Sequence, residues 1–283
     1  MDEKSLKKIF GISQYPAIDF GLEDIPQQAR NLTGKVSISG VQPKLFVKFD
    51  KKKNVLVSDA QGEYILKPQT LSFPHLPENE ECCMEIAQRI GIDVPDHCLV
   101  LLKDKSLAYV VKRFDRKNRE KIHQEDFFQI LGPKDKYIGS VEKIGRALKG
   151  ISSVPGLDVQ LFFERVVFYF LVGNGDAHFK NYSIAYREDG QIRLTPAYDI
   201  VCSRLVAKDD ESALAINGKN NDLERKDFEA LAAYLTIPAR IRYESFKGKE
   251  RLFIEIIKAS QLPEAFKENF VTIVQSRFKR LGL

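Results

Sequence analysis

Apolar and polar residues alternate along much of the first 114 positions, a pattern typical of β-strands with one buried face. The strand-like segments are 36–47, 55–57, 64–67, 99–102 and 107–111. A helix is expected between them, from an N-cap at Asn79 to about Ile90, with Gly91 at its C-terminal end. The pattern predicts a sheet of about five strands accompanied by one helix.

After this region the apolar residues recur at helical spacing. The segments with that spacing are 124–131, 140–149, 157–172, 226–235, 239–258 and 263–281. Two short strands, 182–186 and 191–194, flank a polar turn of hairpin type. The change of pattern near the charged stretch 112–121 predicts an α+β protein with a small β-rich lobe, 1–114, and a larger α-helical lobe, 115–283.

Composition narrows the class of protein. The 283 residues are 43% hydrophobic and 29% charged, as in a folded soluble protein, and the net charge of +5 is too small for a dense nucleic-acid-binding stripe. Cysteines at 82, 83, 98 and 202 lack the spacing of a zinc site or a disulfide framework. The N-terminal residues lack a signal-peptide pattern, and Glu164 and Arg165 interrupt the most apolar segment. We therefore expect a cytoplasmic protein without a membrane span.

Several familiar motifs fail on inspection. A Walker A loop ending at Gly34-Lys35 needs Gly at 29 and Ser or Thr at 36, where the chain has Ala29 and Val36. A dinucleotide-binding loop starting at Gly173 needs a third glycine where His178 stands. The sequence contains neither H-E-x-x-H nor G-x-S-x-G. Ordinary hydrolase chemistry therefore has no support.

One constellation carries chemistry. Asp176 and Asn181 have the D-x-x-x-x-N spacing of a protein-kinase catalytic loop, where the aspartate accepts the substrate proton and the asparagine binds Mg²⁺. Asp199, after the short hairpin, suits the second metal-binding carboxylate. Lys180 is placed to neutralise charge on the phosphate, and His178 to orient the loop or touch a phosphate. Each residue alone also has a structural interpretation as a turn former or surface carboxylate, but their order favours phosphoryl transfer.

A kinase also needs a nucleotide-binding region upstream. Lys67 ends a strand and suits the lysine that pairs with nucleotide phosphates, although a solvent-facing lysine at a strand end explains it equally well. The segment 36–42 is a weak phosphate-binding loop because it contains one glycine, Gly40.

The sequence resembles the HipA family of bacterial serine/threonine kinases, which are toxins of toxin–antitoxin systems. The resemblance rests on ordered motifs along nearly the whole chain: Ser37–Lys44, Tyr64–Pro68, Asn79–Glu80, Val111–Arg116, Gln124–Phe127, Gly175–Asn181, Pro196–Asp199 and Ala215–Gly218. It implies a two-lobed protein-kinase-like fold that binds ATP and Mg²⁺. By position, it implies Lys67, His178 and the loop residues Ser39, Gly40, Val41 and Gln42 near the ATP phosphates. It further implies Asp176 as base, Asn181 and Asp199 on Mg²⁺, and a hinge at Lys112, Arg113 and Phe114 against adenine.

The resemblance has one departure, which points to a subgroup. Only about 35 residues precede the glycine-containing loop, whereas HipA proteins have a further N-terminal subdomain. The chain therefore resembles the short HipT toxins, and Ser37 and Ser39 match their loop serines. This resemblance implies autophosphorylation at Ser37 and Ser39 and a translation factor as substrate, with an aminoacyl-tRNA synthetase of tryptophanyl type favoured. The implied partners are a helix-turn-helix antitoxin, through which DNA is contacted indirectly, and a small protein resembling the missing subdomain.

Two other functions stay open at the level of sequence. Sugar and aminoglycoside kinases share the Asp-Asn-Asp logic, so a small-molecule substrate is the first alternative. The second is a non-catalytic co-repressor partner bound to DNA, because basic residues cluster at 113–121. No nucleic-acid-binding motif accompanies that cluster, and such clusters are more often solvated surface.

Overall fold

The chain folds into two compact units. The computed structural model describes residues 3–31, 43–117, 120–207 and 210–283. The first unit is Met1–Cys82 with Pro95–Lys121, and the second is Cys83–Val94 with Ile122–Leu283. The lobe boundary placed at residue 114 stays a prediction. None of the described helices combines the length and the apolar composition needed to cross a membrane.

The described elements follow in chain order. The helices are α1 (Glu3–Phe10), α2 (Ile25–Asn31), α3 (Leu76–Ile90), α4 (Phe127–Leu131), α5 (Val141–Ile151), α6 (Pro155–Leu171), α7 (Arg225–Tyr234), α8 (Glu250–Ala259) and α9 (Glu264–Leu281). The strands are β1 (Leu45–Asp50), β2 (Val55–Ser58), β3 (Tyr64–Pro68), β4 (His97–Leu101), β5 (Leu107–Lys112), β6 (Arg116–Lys117), β7 (Glu120–Lys121), β8 (His123–Asp126), β9 (Ser183–Tyr186) and β10 (Ile192–Leu194).

The first unit is built on a five-stranded antiparallel sheet in the order β2-β1-β3-β5-β4. Alternate strand residues such as Leu45, Val47 and Leu66 are buried, because successive side chains of a strand point to opposite faces. Leu6, Ile9 and Phe10 of α1 join the same core. From Leu45 onward the sheet agrees with the alternation in the sequence, and the part of the predicted strand at 36–42 lies outside the described residues. The sequence pattern did not predict α1 and α2. Lys67 lies in β3, in register with Tyr109 of β5.

Helix α3 starts earlier than its sequence suggests. It begins at Leu76, and the N–H of Asn79 donates to the carbonyl oxygen of His75, so Asn79 lies inside the first turn. The N-cap predicted at Asn79 is therefore wrong; Pro77 is compatible with a first helical turn because its missing N–H has no intrahelical partner there. Gly91, with φ +94°, follows the helix in the left-handed conformation, as predicted.

The second unit is organised around α6. Nearly every side of this helix is buried from Phe162 to Leu171, which is typical of a helix inside a core. A three-stranded sheet in the order β10-β9-β8 accompanies the helices. The carboxylate of Asp158 near the start of α6 accepts hydrogen bonds from the Arg193 side chain and from the Leu194 N–H of β10. These bonds anchor the small sheet to the helix that leads to the candidate site.

Two helices predicted in the second unit are too long. Residues 123–126 form β8, paired with β9, and α4 begins only at Phe127 because Asp126 and Gln129 form a reciprocal capping box. In the segment 239–258, α8 begins at Glu250, after Gly248 with φ +64°. The left-handed residue interrupts the helix predicted over 239–258, and strand pairing shortens the one predicted over 124–131, so apolar spacing alone overestimated both lengths.

Candidate active site

The loop after α6 carries the predicted catalytic residues. It starts at Gly173, whose φ of +70° belongs to the left-handed region. A Cβ at this position would lie 3.1 Å from the Cys202 sulfur, so both the backbone and the close packing favour glycine. The backbone of the loop is held two residues later, where the Gly175 N–H donates to the Ser203 hydroxyl at 2.9 Å. The loop thus leaves the buried helix in one defined direction.

Asp176 is the exposed carboxylate of this loop. Its Oδ1 accepts a hydrogen bond of 2.8 Å from the Tyr137 hydroxyl, and its N–H donates to Asn174 Oδ1 at 3.2 Å. An exposed carboxylate with a fixed orientation is suited to accept a proton from an incoming hydroxyl group. This arrangement is compatible with the role of base predicted for Asp176, which stays a prediction.

His178 is buried beside Asp176. Its Nε2 lies 2.7 Å from the Lys136 ammonium, and its ring meets the edge of Tyr137 at 5.2 Å between centroids. Burial lowers the pKa of His178 below its usual value, and Lys136 reinforces this although Asp176 opposes it. Among the described residues, Nδ1 of His178 is a buried polar atom with no hydrogen-bond partner. A phosphate oxygen would satisfy it.

Lys180 and Asn181 complete the loop in a short 3-10 turn, Phe179–Asn181. The Asn181 side chain is buried, and its Oδ1 accepts a 3.0 Å hydrogen bond from the His178 N–H. Lys180 is exposed, with its ammonium 4.8 Å from the centre of the Phe128 ring. The His178 N–H also lies 2.8 Å from the Asp176 carbonyl oxygen, so Asp176, His178 and Asn181 are joined by short contacts, while the Lys180 ammonium faces an aromatic ring.

The segment bearing Asp199 is attached to the same loop. The Tyr198 hydroxyl donates to the carbonyl oxygen of Lys180 at 2.9 Å and also contacts the hydroxyl of Ser183. Burial raises the pKa of Tyr198, which keeps this donor protonated. Asp199 itself has φ +59°, the left-handed conformation, which Asp adopts more readily than most residues with a Cβ. The structure therefore holds Asp199 beside the Asp176–Asn181 loop.

The donors in this unit suit a hard cation. Asn181 supplies an amide oxygen and Asp199 a carboxylate, and Mg²⁺ takes few protein ligands because phosphate oxygens and waters complete its shell. Among the described residues, no cluster of three or more His, Cys, Asp or Glu side chains is placed to hold a metal ion. A metal at this site would accordingly depend on the nucleotide for most of its ligands.

The first unit, considered by itself, contains a buried ion pair. The Lys67 ammonium lies 2.5 Å from Glu80 Oε1, with side-chain exposures of 5% and 2%, and 5.6 Å from the centre of the Tyr109 ring. Lysine on a strand paired with glutamate on a helix is the arrangement that positions nucleotide phosphates in protein kinases. The interpretation of Lys67 as a solvent-facing strand end does not fit this burial. Sequence reasoning missed the role of Glu80, although the Asn79-Glu80 pair in the helix after β3 was a usable signal.

The side chain of Arg113, in the predicted hinge, is held by contacts within the first unit. The Arg113 guanidinium donates to both carboxylate oxygens of Asp115 and to the Gly62 carbonyl oxygen, and it stacks 4.2 Å from the centre of the Phe46 ring. Its side chain therefore supports the end of the sheet. Contact of Lys112, Arg113 and Phe114 with adenine stays a prediction. The predicted phosphate-binding and autophosphorylation residues Ser37, Ser39, Gly40, Val41 and Gln42 lie outside the described residues.

Two further residues of the site were missed from sequence. Lys136 and Tyr137 lie between α4 and α5, about forty residues before the loop that they contact. A Lys-Tyr pair in the polar loop between two helices matches no sequence motif of kinase chemistry. The two residues reach Asp176 and His178 only through the packing of the folded chain.

Comparison with solved structures supports the fold. HipA of Shewanella oneidensis, solved with HipB and operator DNA, superposes with a TM-score of 0.73 at 21% identity, covering 100% of this chain and 72% of that one. The proinflammatory kinase CtkA of Helicobacter pylori gives a TM-score of 0.58 at 16% identity, covering 94% and 95%. These similarities confirm the predicted α+β, protein-kinase-like fold.

Comparison of sequences identifies the family. A Haemophilus influenzae protein named "Putative kinase" is 35% identical over 180 residues, 59% of this chain and 52% of its own length. The "Putative kinase Y4dM" of Sinorhizobium fredii is 34% identical over 264 residues, 85% of this chain and 64% of its own length. The chain thus spans between half and two thirds of these curated relatives. The model of the HipA-like C-terminal domain matches residues 36–263, and the chain therefore belongs to the HipA-like C-terminal domain family.

Proposed function

We propose that this chain is an ATP- and Mg²⁺-dependent serine/threonine protein kinase that acts as the toxin of a bacterial toxin–antitoxin system. The observation that carries the proposal is the arrangement of the catalytic loop. An exposed Asp176 and a buried Asn181 share one short loop, and the Tyr198–Lys180 hydrogen bond holds the Asp199 segment beside them. The buried Lys67–Glu80 pair supports the same class of chemistry from the first unit.

The chemistry follows from these groups. Asp176 accepts the proton of the substrate hydroxyl. At the same time the hydroxyl oxygen forms a bond to the γ-phosphorus of ATP, and the bond between that phosphorus and ADP breaks. Lys67 holds nucleotide phosphates, and Lys180 neutralises charge on the transferring group. Asn181 and Asp199 would hold Mg²⁺, which when bound supplies positive charge to the phosphate oxygens.

The substrate and partners are argued from resemblance. The Shewanella relative is named a serine/threonine-protein kinase toxin and was solved with HipB and operator DNA. For this chain we therefore propose a helix-turn-helix antitoxin that contacts DNA, together with a small protein resembling the N-terminal subdomain of HipA. The two loop serines, Ser37 and Ser39, match those of HipT toxins. This resemblance favours tryptophanyl-tRNA synthetase as the substrate and both serines as autophosphorylation sites.

Transfer of label from [γ-³²P]ATP tests the proposal. The purified chain is incubated with Mg²⁺, alone and with a panel of aminoacyl-tRNA synthetases that includes the tryptophanyl enzyme. Asp176→Asn should lower transfer by about 10²–10⁴-fold, the contribution of a general base, without unfolding the chain. Asp189→Asn is the matched control, because Asp189 is an exposed aspartate in the turn between β9 and β10, where its carboxylate accepts the Gln191 N–H.

Three outcomes of this assay are informative. Labelled protein bands that disappear with Asp176→Asn but persist with Asp189→Asn support the kinase. Equal transfer by the two variants overturns the catalytic assignment. Label found on an added sugar or aminoglycoside, with none on protein, contradicts a protein substrate.

A further inference from the structure

The segment 132–140, between α4 and α5, is fastened to the catalytic loop. Tyr137 and Lys136 reach Asp176 and His178 through hydrogen bonds of 2.8 and 2.7 Å. The Phe179 N–H donates to the Lys136 carbonyl oxygen at 3.3 Å. One connection therefore touches the loop through two side chains and one backbone group.

Tyr137 acts on the carboxylate of Asp176. Its hydroxyl donates to Oδ1, and a hydrogen bond to one carboxylate oxygen fixes the rotation of the whole group. The other oxygen, Oδ2, is then the one that accepts a proton from a substrate hydroxyl. The Tyr137 ring is held in turn by the Lys136 ammonium, 4.6 Å from its centre, and by the edge of His178. The orientation of the base thus depends on a residue outside its own loop.

Lys136 acts on the tautomer of His178. An ammonium group has donors and no acceptor, so the short contact requires Nε2 of His178 to be the accepting nitrogen. The ring proton is then on Nδ1, the buried atom that has no partner among the described residues. A donor left buried in this way is costly unless a ligand accepts from it. Lys136 therefore converts His178 into a hydrogen-bond donor at Nδ1.

We propose that Lys136 and Tyr137 are positioning residues for phosphoryl transfer: Tyr137 orients the carboxylate of Asp176, and Lys136 fixes the His178 tautomer that donates from Nδ1. The inference rests on the proposed function, because Asp176 and His178 need these states only if they face a substrate hydroxyl and a phosphate. It assigns Tyr137 to the transfer step rather than to nucleotide affinity, and Lys136 to the phosphate contact made through His178.

Steady-state kinetics separates this role from a structural one. Tyr137→Phe keeps the ring and loses the hydroxyl, so kcat should fall about tenfold while KM for ATP changes by less than about twofold. Tyr234→Phe is the matched control: Tyr234 is 42% exposed against 44% for Tyr137, and it lies in α7. Lys136→Met should lower kcat by a similar factor. Lys136→Arg should keep most of the wild-type kcat, because an arginine side chain also donates hydrogen bonds. Lys134→Met is the control for the loss of a lysine charge.

A second readout does not depend on activity. In ¹⁵N-labelled wild-type protein the His178 ring should show the proton on Nδ1, and Lys136→Met should shift the population toward the Nε2 tautomer. An active wild type whose Tyr137→Phe and Lys136→Met variants keep full kcat overturns the inference, as does an Nε2-protonated ring in the wild type. A wild type without any transfer activity instead overturns the proposed function.

Discussion

The ammonium of Lys67 and the carboxylate of Glu80 form a buried ion pair in the first unit, with 2.5 Å between Nζ and Oε1. Taking two charges out of water is expensive, and such a pair is stable only while both members are present. The pair therefore couples the stability of this unit to the group proposed to hold nucleotide phosphates.

Replacing one member of the Lys67–Glu80 pair should lower the free energy of unfolding more than replacing both. Glu80→Gln removes a carboxylate from a buried ammonium and should lower the free energy of unfolding by about 3–5 kcal/mol. The double variant Lys67→Met/Glu80→Gln should recover a large part of this loss, measured by chemical denaturation, yet show no phosphate transfer. Simple additivity of the two single variants would contradict the coupling.

Asp199 should control the requirement for Mg²⁺. Asp199→Asn keeps a side chain that tolerates the left-handed backbone and removes the negative charge. We expect the same melting temperature, a lower kcat and a higher Mg²⁺ concentration at half-maximal transfer. Asp222→Asn is a matched control, because Asp222 is exposed and has φ +51°. An unchanged Mg²⁺ dependence in Asp199→Asn would remove it from the metal site, and EDTA should abolish transfer by the wild type.

Local spacing made part of the site predictable. Asp176 and Asn181 lie on one loop, so the distance between them in sequence nearly determines their geometry. Tyr137 could not be found in the same way, since its contact with Asp176 depends on how α4, α5 and α6 pack. The Lys67–Glu80 contact is intermediate: the strand and the helix were both predicted, but which glutamate faces the strand was not. Helix α8 shows the converse error, because apolar spacing carried the prediction across the left-handed Gly248.

Asp158 should make the second unit sensitive to acid. Burial alone would raise its pKa, but hydrogen bonds from Arg193, Ser152 and the Leu194 N–H outweigh burial and hold the pKa of Asp158 below its usual value. A carboxyl group with a lowered folded pKa adds stability above its unfolded pKa of about 3.9, and this contribution disappears as the pH falls through the folded value.

The variant Asp158→Asn tests this dependence. At pH 7 it should be less stable by about 3 kcal/mol, near the lower end for breaking a buried charged pair. The difference from the wild type should shrink as the pH is lowered below about 4. Thermal or urea unfolding across pH measures it, and a difference independent of pH would show that the charge of Asp158 does not matter.

Gly139 should be intolerant of any side chain. A Cβ there would lie 2.5 Å from two ring atoms of Phe179 in the catalytic loop. Gly139→Ala should therefore cost about 1–3 kcal/mol by overpacking and should lower transfer activity as the ring moves.

Gly150 provides the matched control. It lies in α5, where a Cβ would meet no heavy atom within 4 Å beyond the backbone of its own helix. Gly150→Ala should therefore raise stability by roughly 0.5–1 kcal/mol, the usual gain of alanine over glycine in a helix. Equal effects of the two substitutions in thermal unfolding would show that contact with Phe179 is not what excludes a side chain at 139.

The left-handed backbone at Asp199 also limits how such a protein can lose its activity over evolution. Of the residues reachable from an aspartate codon by one base change, Asn and Gly accept this conformation with the least strain, His is intermediate, and the β-branched Val is the least suited. Relatives that have become inactive binding proteins are therefore expected to carry Asn or Gly at this position, with the surrounding fold intact. The residue at this position would therefore distinguish relatives that have lost catalysis but still fold from relatives whose fold is disrupted.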